Sequence, residues 1–542
     1  GSSSCGKFGR PLILVHPAIT TDSGRAVPNS AKSLNKRARF WYAARLHVRS
    51  AKQCSSSKGP SSNASIIRSS STVACTRARE RERRSNHHCS PLFNDMKANR
   101  SSNISRRTFL KGTALAASSE FAAPTIIPRH VLGSPTAPGA NDQILVGIIG
   151  MGMRGDQLVM NVPKSGRVAA VCDADLRRTT AATKKHGADW PVYQDYRKLI
   201  ERKDLDAVMV ATVDHHHVLA SMLACQAGKD VYCEKPLGLY VREGRALVQA
   251  ARKYERVVQT GTQQRTMEMD QFACEFVRDG GIGDIRAVEC VNFKSAIPIP
   301  AEGLPEQPIP EGVDWDLWQG QAPVHPFNIE LFQHWSEMNG RWWGNWREYA
   351  NSQVTGMGSH AYDMVQYALG MDQTGPVEFW PVDGEDGISG PLARVDFRYA
   401  NGVEVRLSFP DREPRRGPQL GAVFTGSKCK IEINRNKFTT NPPDFIKHPP
   451  DPKLAKKWEG DGYVAKGHVE NWFDCIRSRE KPNADVEIGH RSASICHLIT
   501  ITRMLGRRLK WDPEKEIFPG DNEANALLDR PRRKGWELPG LS

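Results

Sequence analysis

An apolar run, Ile144–Ile149, leads straight into Gly150-Met151-Gly152-Met153-Arg154-Gly155, and a second apolar run ends at Asp173. No other feature of the chain narrows its fold so far. A strand, a tight glycine turn, a helix start and an acid closing the next strand are the parts that hold a dinucleotide. Gly150 permits the turn, Gly152 lets backbone approach a pyrophosphate, and Gly155 lets the helix pack close on the strand. Met153 and Arg154 open that helix, whose N-terminus faces the phosphates. Asp173 is placed to accept from the adenosine ribose hydroxyls and to repel a 2′-phosphate, which predicts NAD rather than NADP.

From residue 143 the pattern alternates. Strands are predicted at 143–149, 167–173, 206–212, 230–234 and 257–261, with helices at 153–162, 175–187, 195–202, 216–227 and 240–254. Short apolar runs with helices between them indicate a parallel sheet buried on both faces. From about residue 284 the character changes. Pro- and Trp-rich loops fill 296–350, alternating strands follow at 377–381, 392–399, 403–409, 420–425 and 429–433, and an amphipathic helix spans 468–477. The predicted fold class is α/β: an N-terminal doubly wound Rossmann domain at 140–283, then an α+β domain with a large, mostly antiparallel sheet at 284–512, then a C-terminal tail at 513–542. One open face of that sheet would serve a homo-oligomer.

The formal charge of +15 is unevenly spread. Residues 1–95 hold 17 Lys/Arg against 4 Asp/Glu, and 96–111 add five basic residues and no acid. The body is therefore near neutral, and no nucleic-acid partner is expected. Residues 1–95 are Ser- and Arg-rich without apolar period, and read as disordered. Met96 is the first methionine, so translation is expected to start there, with a genuine basic tail as the other reading. Next comes Ser105-Arg106-Arg107-Thr108-Phe109-Leu110-Lys111, then a mild apolar stretch to Ile127 and Pro128. Within 96–128 this is a twin-arginine secretory signal, which predicts export to the periplasm. It is too short and interrupted to remain as a membrane anchor. Of 12 cysteines, four lie in the leader and the rest are scattered, with no CxxC and no metal spacing.

The fifth strand closes in Cys233-Glu234-Lys235-Pro236. Pro236 biases Lys235 away from helix, which presents the lysine at the carboxyl end of a parallel strand, where such sheets bind ligands. Taken alone, a strand-capping surface lysine fits as well. Together with the glycine turn and Asp173, this motif resembles the glucose–fructose oxidoreductase/inositol dehydrogenase (Gfo/Idh/MocA) family. Ala227-Gly228-Lys229-Asp230-Val231 and Gly280-Gly281-Ile282-Gly283-Asp284-Ile285 resemble it too, and the likeness covers roughly 143–510.

The resemblance implies that Lys235, with Glu234 beside it, contacts both substrate and nicotinamide. It implies that Thr212, His215, His217 and Gln263 line the cofactor, and that Arg265 lies at the substrate. A histidine of the second domain acts as acid/base at the hydroxyl. The matching position is His360, in Gly356-Met357-Gly358-Ser359-His360-Ala361-Tyr362-Asp363, with Tyr362 on the substrate side. Many relatives carry an aspartate four residues before that histidine. Here the position is Gly356, so either Asp363 or a loop carboxylate assists, or the chemistry is altered. The adjacent His215-His216-His217 do not make a metal site, because neighbouring side chains point apart. In Trp335–Trp346, Arg341-Trp342-Trp343 offers a guanidinium and aromatic faces to a sugar; a loop anchored by tryptophans is the other reading.

These features predict an exported, NAD-dependent oxidoreductase acting on a hydroxyl of a sugar, polyol or glycoside, with the cofactor tightly held. Two other readings stand. One is an NAD-dependent glycosidase that oxidises its sugar transiently with no net redox. The other is a non-catalytic sugar- or cofactor-binding protein on the same fold.

Overall fold

The computed structural model describes residues 142–334, 336, 341–382, 390–410, 417–458 and 465–540. The basic leader and the twin-arginine segment lie outside the described residues.

Six parallel strands form the first sheet: β1 (Ile144–Ile149), β2 (Gly166–Cys172), β3 (Val192–Tyr193), β4 (Ala207–Val210), β5 (Asp230–Cys233) and β6 (Val258–Thr260), in the order β3-β2-β1-β4-β5-β6. Between them run α1 (Met153–Asn161), α2 (Leu176–His186), α3 (Tyr196–Ile200), α4 (His217–Gln226) and α5 (Val241–Lys253). The central strands β1 and β4 are apolar along their whole length because helices cover both faces. Val146, Ile148, Val208, Met209 and Val231 are fully buried. Asp175 starts α2 by accepting the Arg177 N–H, and Gly187 ends it in the left-handed conformation. All eight described cysteines are free and buried.

The second sheet has eight strands in the order β13-β12-β11-β7-β10-β9-β8-β14. They are β7 (Ile285–Asn292), β8 (Glu378–Pro381), β9 (Val395–Arg398), β10 (Glu404–Pro410), β11 (Ala422–Gly426), β12 (Lys430–Asn434), β13 (Lys437–Asn441) and β14 (Leu509–Lys510). All neighbours pair antiparallel except β7 and β10. Pattern reading misses β7, although it lies inside the sheet. Its run follows α6 (Glu268–Arg278) directly, with only a glycine turn between.

Two helices tie the lobes together. α7 (Gly358–Ala368) packs on the second sheet, and α9 (Val486–Leu505) packs on both α7 and α5. With 14 of its 20 residues buried, α9 presents no polar face, so no helical period marks it in the sequence. Its approach to α5 is close: a Cβ at Gly244 would stand 2.4 Å from His490 Nδ1. The amphipathic α8 (Lys466–Ser478) packs back on the first sheet, seating Trp472 and Phe473 among Val146, Ile148 and Tyr232. Residues 513–540, set apart by sequence as a tail, fold onto the body. Trp536 packs edge-on against Tyr196, and Arg530 pairs with the buried Glu243 at 2.8 Å.

The loop-rich stretch from Ile297 to Tyr349 has its own aromatic core of Trp315, Trp318, Phe327, Phe332, Trp346 and Tyr349. It is pinned to the edge of the first sheet, where Leu176 N–H donates to Gly312 O and Asp314 N–H to Ala174 O, both at 2.9 Å. This strap carries aromatic rings over the carboxyl ends of the parallel strands. Among the described residues no helix is long and apolar enough to cross a membrane.

Candidate active site

The glycine turn has the geometry a dinucleotide needs. Gly150 sits at φ +91°, open only to glycine without strain. A Cβ at Gly155 would lie 1.9 Å from Gly150 O, so this residue packs behind the turn rather than lining the groove. A Cβ at Gly152 would meet nothing nearer than Arg178 Nη1 at 3.7 Å, which leaves open space on the ligand side. α1 starts there with no side chain capping it, so its first N–H groups face the groove. The Asp173 carboxylate accepts Met151 N–H at 2.7 Å and Asp175 N–H at 2.9 Å, and burial raises its pKa. Two further polar atoms are buried without a hydrogen-bond partner, the Thr212 hydroxyl after β4 and the Gln263 side-chain oxygen after β6. A cradle with unfilled space and orphaned polar atoms fits a dinucleotide.

The groove has two parts. A cavity of about 160 Å³ runs beside Gly150, Gly152, Asp173 and Thr212, roofed by Trp318, Phe332 and Trp343 from the strap. A larger cleft of about 390 Å³ opens next to it. Both parts are lined by Met153, Arg154, Ala211, Thr212, His334 and Trp343, which makes them continuous.

In the cleft the two lobes meet. Lys235 follows β5, and the Lys235–Pro236 peptide is cis. Glu234 is buried and accepts Arg154 Nε at 2.6 Å. Burial alone would raise the Glu234 pKa, but Arg154 and Lys235 hold it below the usual range. Burial lowers the Lys235 pKa, against the pull of Glu234 and Asp214. From the second lobe His360, in the first turn of α7, lines the same cleft with Nδ1 unpartnered. Burial, then the charges of Arg435 and Lys235, push its pKa well below the usual histidine value, so the ring is a neutral base at neutral pH. Asp214, which starts the turn into α4, is pushed up to about 7 by burial, against the charge of Lys235. A lysine, a neutral imidazole and a carboxyl that titrates near neutrality together can take, hold and pass a proton.

His217, Gln263 and Trp342 also line this cleft. The His217 ring nitrogens lie 2.8 Å from Pro236 O and 3.1 Å from Thr212 O, bridging the ends of β4 and β5. Five predicted residues are elsewhere. His215 turns its Nε2 to the carbonyls of Trp318 and Gln319, packs against Tyr349, and lines neither part of the groove. Its neighbour His216 reaches the Asp173 side instead. Arg265 is buried in ion pairs, 2.9 Å from Asp363 and 2.7 Å from Asp372. Asp363 is spent on Arg265 and on Ser492 Oγ at 2.6 Å, so it does not stand in for the missing aspartate. Tyr362 is fully buried and donates to Val291 O. Arg341 is exposed, its guanidinium 5.1 Å from the Trp346 ring centre. Trp335 and 337–340 lie outside the described residues.

Sequence reasoning missed Asp214 and Arg435. Arg435 stands on the tip between β12 and β13, and its only sequence signal is the Asn434-Arg435-Asn436 turn between two alternating runs.

Profiles of one family match two stretches: its NAD-binding Rossmann fold at 144–262 and its C-terminal alpha/beta domain at 285–538. Inositol 2-dehydrogenase of Salmonella typhimurium is 35% identical over 193 residues, 35% of this chain and 53% of that protein. Glycosyl hydrolase family 109 protein 2 of Shewanella sp. (strain ANA-3) is 33% identical over 176 residues, 29% of this chain and 38% of that protein. The chain spans about half the length, or less, of these curated relatives. Among solved structures, an aldose-aldose oxidoreductase of Caulobacter crescentus complexed with glycerol aligns over 68% of this chain and 99% of its own, at 17% identity and a TM-score of 0.46. The two family profiles together take in more than half of the chain, which belongs to the Gfo/Idh/MocA family of NAD-binding oxidoreductases.

Proposed function

We propose that the protein is an exported dehydrogenase that oxidises a secondary hydroxyl of a sugar, polyol or glycoside with NAD. The observation that carries this reading is the convergence of Lys235 and His360, from two lobes, on one cleft that continues into the glycine turn. Bound there, NAD supplies the hydride acceptor. The chain's own residues do the rest. Gly150, Gly152 and the start of α1 hold the diphosphate, and Asp173 selects an unphosphorylated ribose. His360, neutral and buried, takes the hydroxyl proton as the carbonyl forms, while the Lys235 ammonium steadies the oxygen. Asp214 passes that proton toward the groove mouth. Trp342 and Trp343 present rings to the apolar face of the sugar and exclude water. The strap over Asp173 hinders cofactor exchange, which suits an enzyme working where free NAD is scarce. Export itself rests on the Arg106-Arg107 segment.

The match to a protein named as a glycosyl hydrolase keeps the glycosidase reading in play. One experiment separates them: purified protein is incubated with sugars, polyols and aryl glycosides while bound NADH is followed by its fluorescence. A stoichiometric rise in NADH supports the dehydrogenase; aglycone release with no steady rise supports the glycosidase. Absence of both, with nucleotide bound, leaves a binding protein.

A further inference from the structure

The cavity beside Gly150 and Asp173 holds two more polar atoms that the fold leaves unanswered. The Tyr196 hydroxyl, at the start of α3, and His216 Nδ1, just before α4, are buried with no hydrogen-bond partner among the described residues. Both residues line this cavity, Tyr196 being 7% exposed and His216 4%. Their ring centres lie 5.7 Å apart, edge to face, so one ligand can meet both. A buried polar atom without a partner costs free energy, and a ligand that completes it recovers that cost.

Their hydrogen-bonding roles follow from their surroundings. His216 Nε2 lies 2.9 Å from Trp318 O, and a carbonyl only accepts, so the ring proton sits on Nε2. Burial lowers the His216 pKa to about 4, so the ring is neutral and Nδ1 keeps its lone pair. Gly320 closes on the same ring: a Cβ there would stand 2.1 Å from His216 Cε1. Tyr196 packs edge-on against His216 and Trp536, and burial raises its pKa, so the hydroxyl keeps its proton. The pair therefore offers one fixed acceptor and one hydroxyl that can donate or accept. Trp318 and Phe332 add apolar faces to the same cavity. In this fold the acid after the second strand marks the ribose, so the base joined to that ribose falls here.

We propose that Tyr196 and His216 read the adenine edge of the dinucleotide: His216 Nδ1 accepts from the amine at C6, and the Tyr196 hydroxyl donates to a ring nitrogen beside it. This rests on reading the groove as the cofactor site. Adenine carries an amine donor at C6. Hypoxanthine and guanine carry a carbonyl there, whose lone pairs would face the lone pair of Nδ1. The fixed acceptor makes the choice, because the tyrosine hydroxyl can turn to suit either base.

The test is fluorescence titration of the purified, nucleotide-free full chain with NADH and with its hypoxanthine analogue, deamino-NADH, in the parent, Y196F and H216F. The two dinucleotides differ only in the base, so the ratio of their affinities isolates the base contact from the diphosphate and nicotinamide contacts. The parent is expected to bind NADH about ten- to a hundredfold tighter than deamino-NADH. H216F is expected to erase most of that preference. Y196F is expected to weaken both dinucleotides about three- to tenfold while the preference persists. Without nucleotide, Y196F should melt at or above the parent, because the orphaned hydroxyl is gone. Equal binding of the two dinucleotides by the parent overturns the proposal and leaves the groove a dinucleotide site; binding of neither overturns both. A preference that survives in folded H216F, or parental affinities in Y196F, also overturns it. If H216F does not fold, the parent ratio and Y196F still decide.

Discussion

Gly152 and Gly155 play opposite parts in this structure, which makes them a sharp test of the cofactor cradle. In G155A the new methyl would start 1.9 Å from Gly150 O, a backbone atom, and either the turn or α1 must move by more than 1 Å to restore ordinary contact. Overpacking of this kind costs about 1–3 kcal/mol, occasionally more, and the helix propensity gained by alanine returns roughly 0.5–1 kcal/mol. In G152A the methyl meets only Arg178 Nη1, at 3.7 Å, and the backbone there, at φ −69°, suits any residue. Its cost in the free protein is the weaker helix start, about 1 kcal/mol or less. The methyl would instead stand where backbone must approach a diphosphate. Melting curves of nucleotide-free protein should therefore put G155A several degrees below the parent, at about 2–4 °C per kcal/mol, and G152A within about 4 °C of it. Titration with NADH, read by its fluorescence, should show about tenfold or greater loss of affinity in G152A. A G152A protein that binds NADH like the parent, or that melts as low as G155A, would refute the assignment of this turn as the cradle.

Four further outcomes follow from the same geometry. H360Q and K235M should lower kcat by about 10²–10⁴ with nucleotide retention unchanged. Because burial and nearby cations depress the His360 pKa, its base form survives on the acid side. The acid limb of kcat/KM should therefore lie below about pH 6.5, and R435Q, by removing a cation, should move it upward; a limb that stays put disconnects the two residues. Asp214 titrates at about 7 when folded and near 3.9 when unfolded, so the folded state binds the proton more tightly. The parent should lose stability as pH rises through that window and then level off; D214N should not, and parallel melting profiles from pH 4 to 8 would argue against a buried carboxyl. Removing Arg265 strands the buried Asp363, so R265M should cost about 3–5 kcal/mol in melting experiments, and D363N less, because Asp372 still answers the guanidinium. KM of the remaining folded enzyme should hold; a large KM change at parental stability would return Asp363 to the active site.

The first lobe is legible because its rules are local. The central apolar runs, such as Ile144–Ile149 and Ala207–Val210, are buried on both faces, α2 and α3 start on the capping acids Asp175 and Asp195, α2 stops at Gly187, and the glycine turn states its purpose within six residues. The second lobe speaks less clearly. β7 belongs to a mixed sheet and pairs with strands far along the chain, β10 and β11, and α9 is buried all around and loses the period that would announce it.

The site shows the same divide from the inside. Lys235 and His360 are found because each sits in a short motif at the end of a regular element, and both reach the cleft. The errors come from neighbours in sequence. Tyr362 lies two residues beyond His360 on α7 and so faces away, toward Val291. Asp363 lies one turn beyond and meets Arg265 outside the cleft lining, where a carboxylate and a guanidinium satisfy each other instead of a ligand. Adjacency also misleads at His215, whose ring the strap captures through the carbonyls of Trp318 and Gln319. Arg435 is the converse case: it stands 200 residues beyond Lys235 in the chain, and only the pairing of β12 with β13 and of β11 with β7 carries its hairpin to the cleft. The groove residues of the first lobe are thus written locally, while a second-lobe residue such as Arg435 reaches the cleft only through long-range strand pairing. The first kind of residue is to be sought by motif and the second by charge inventory of the folded cleft.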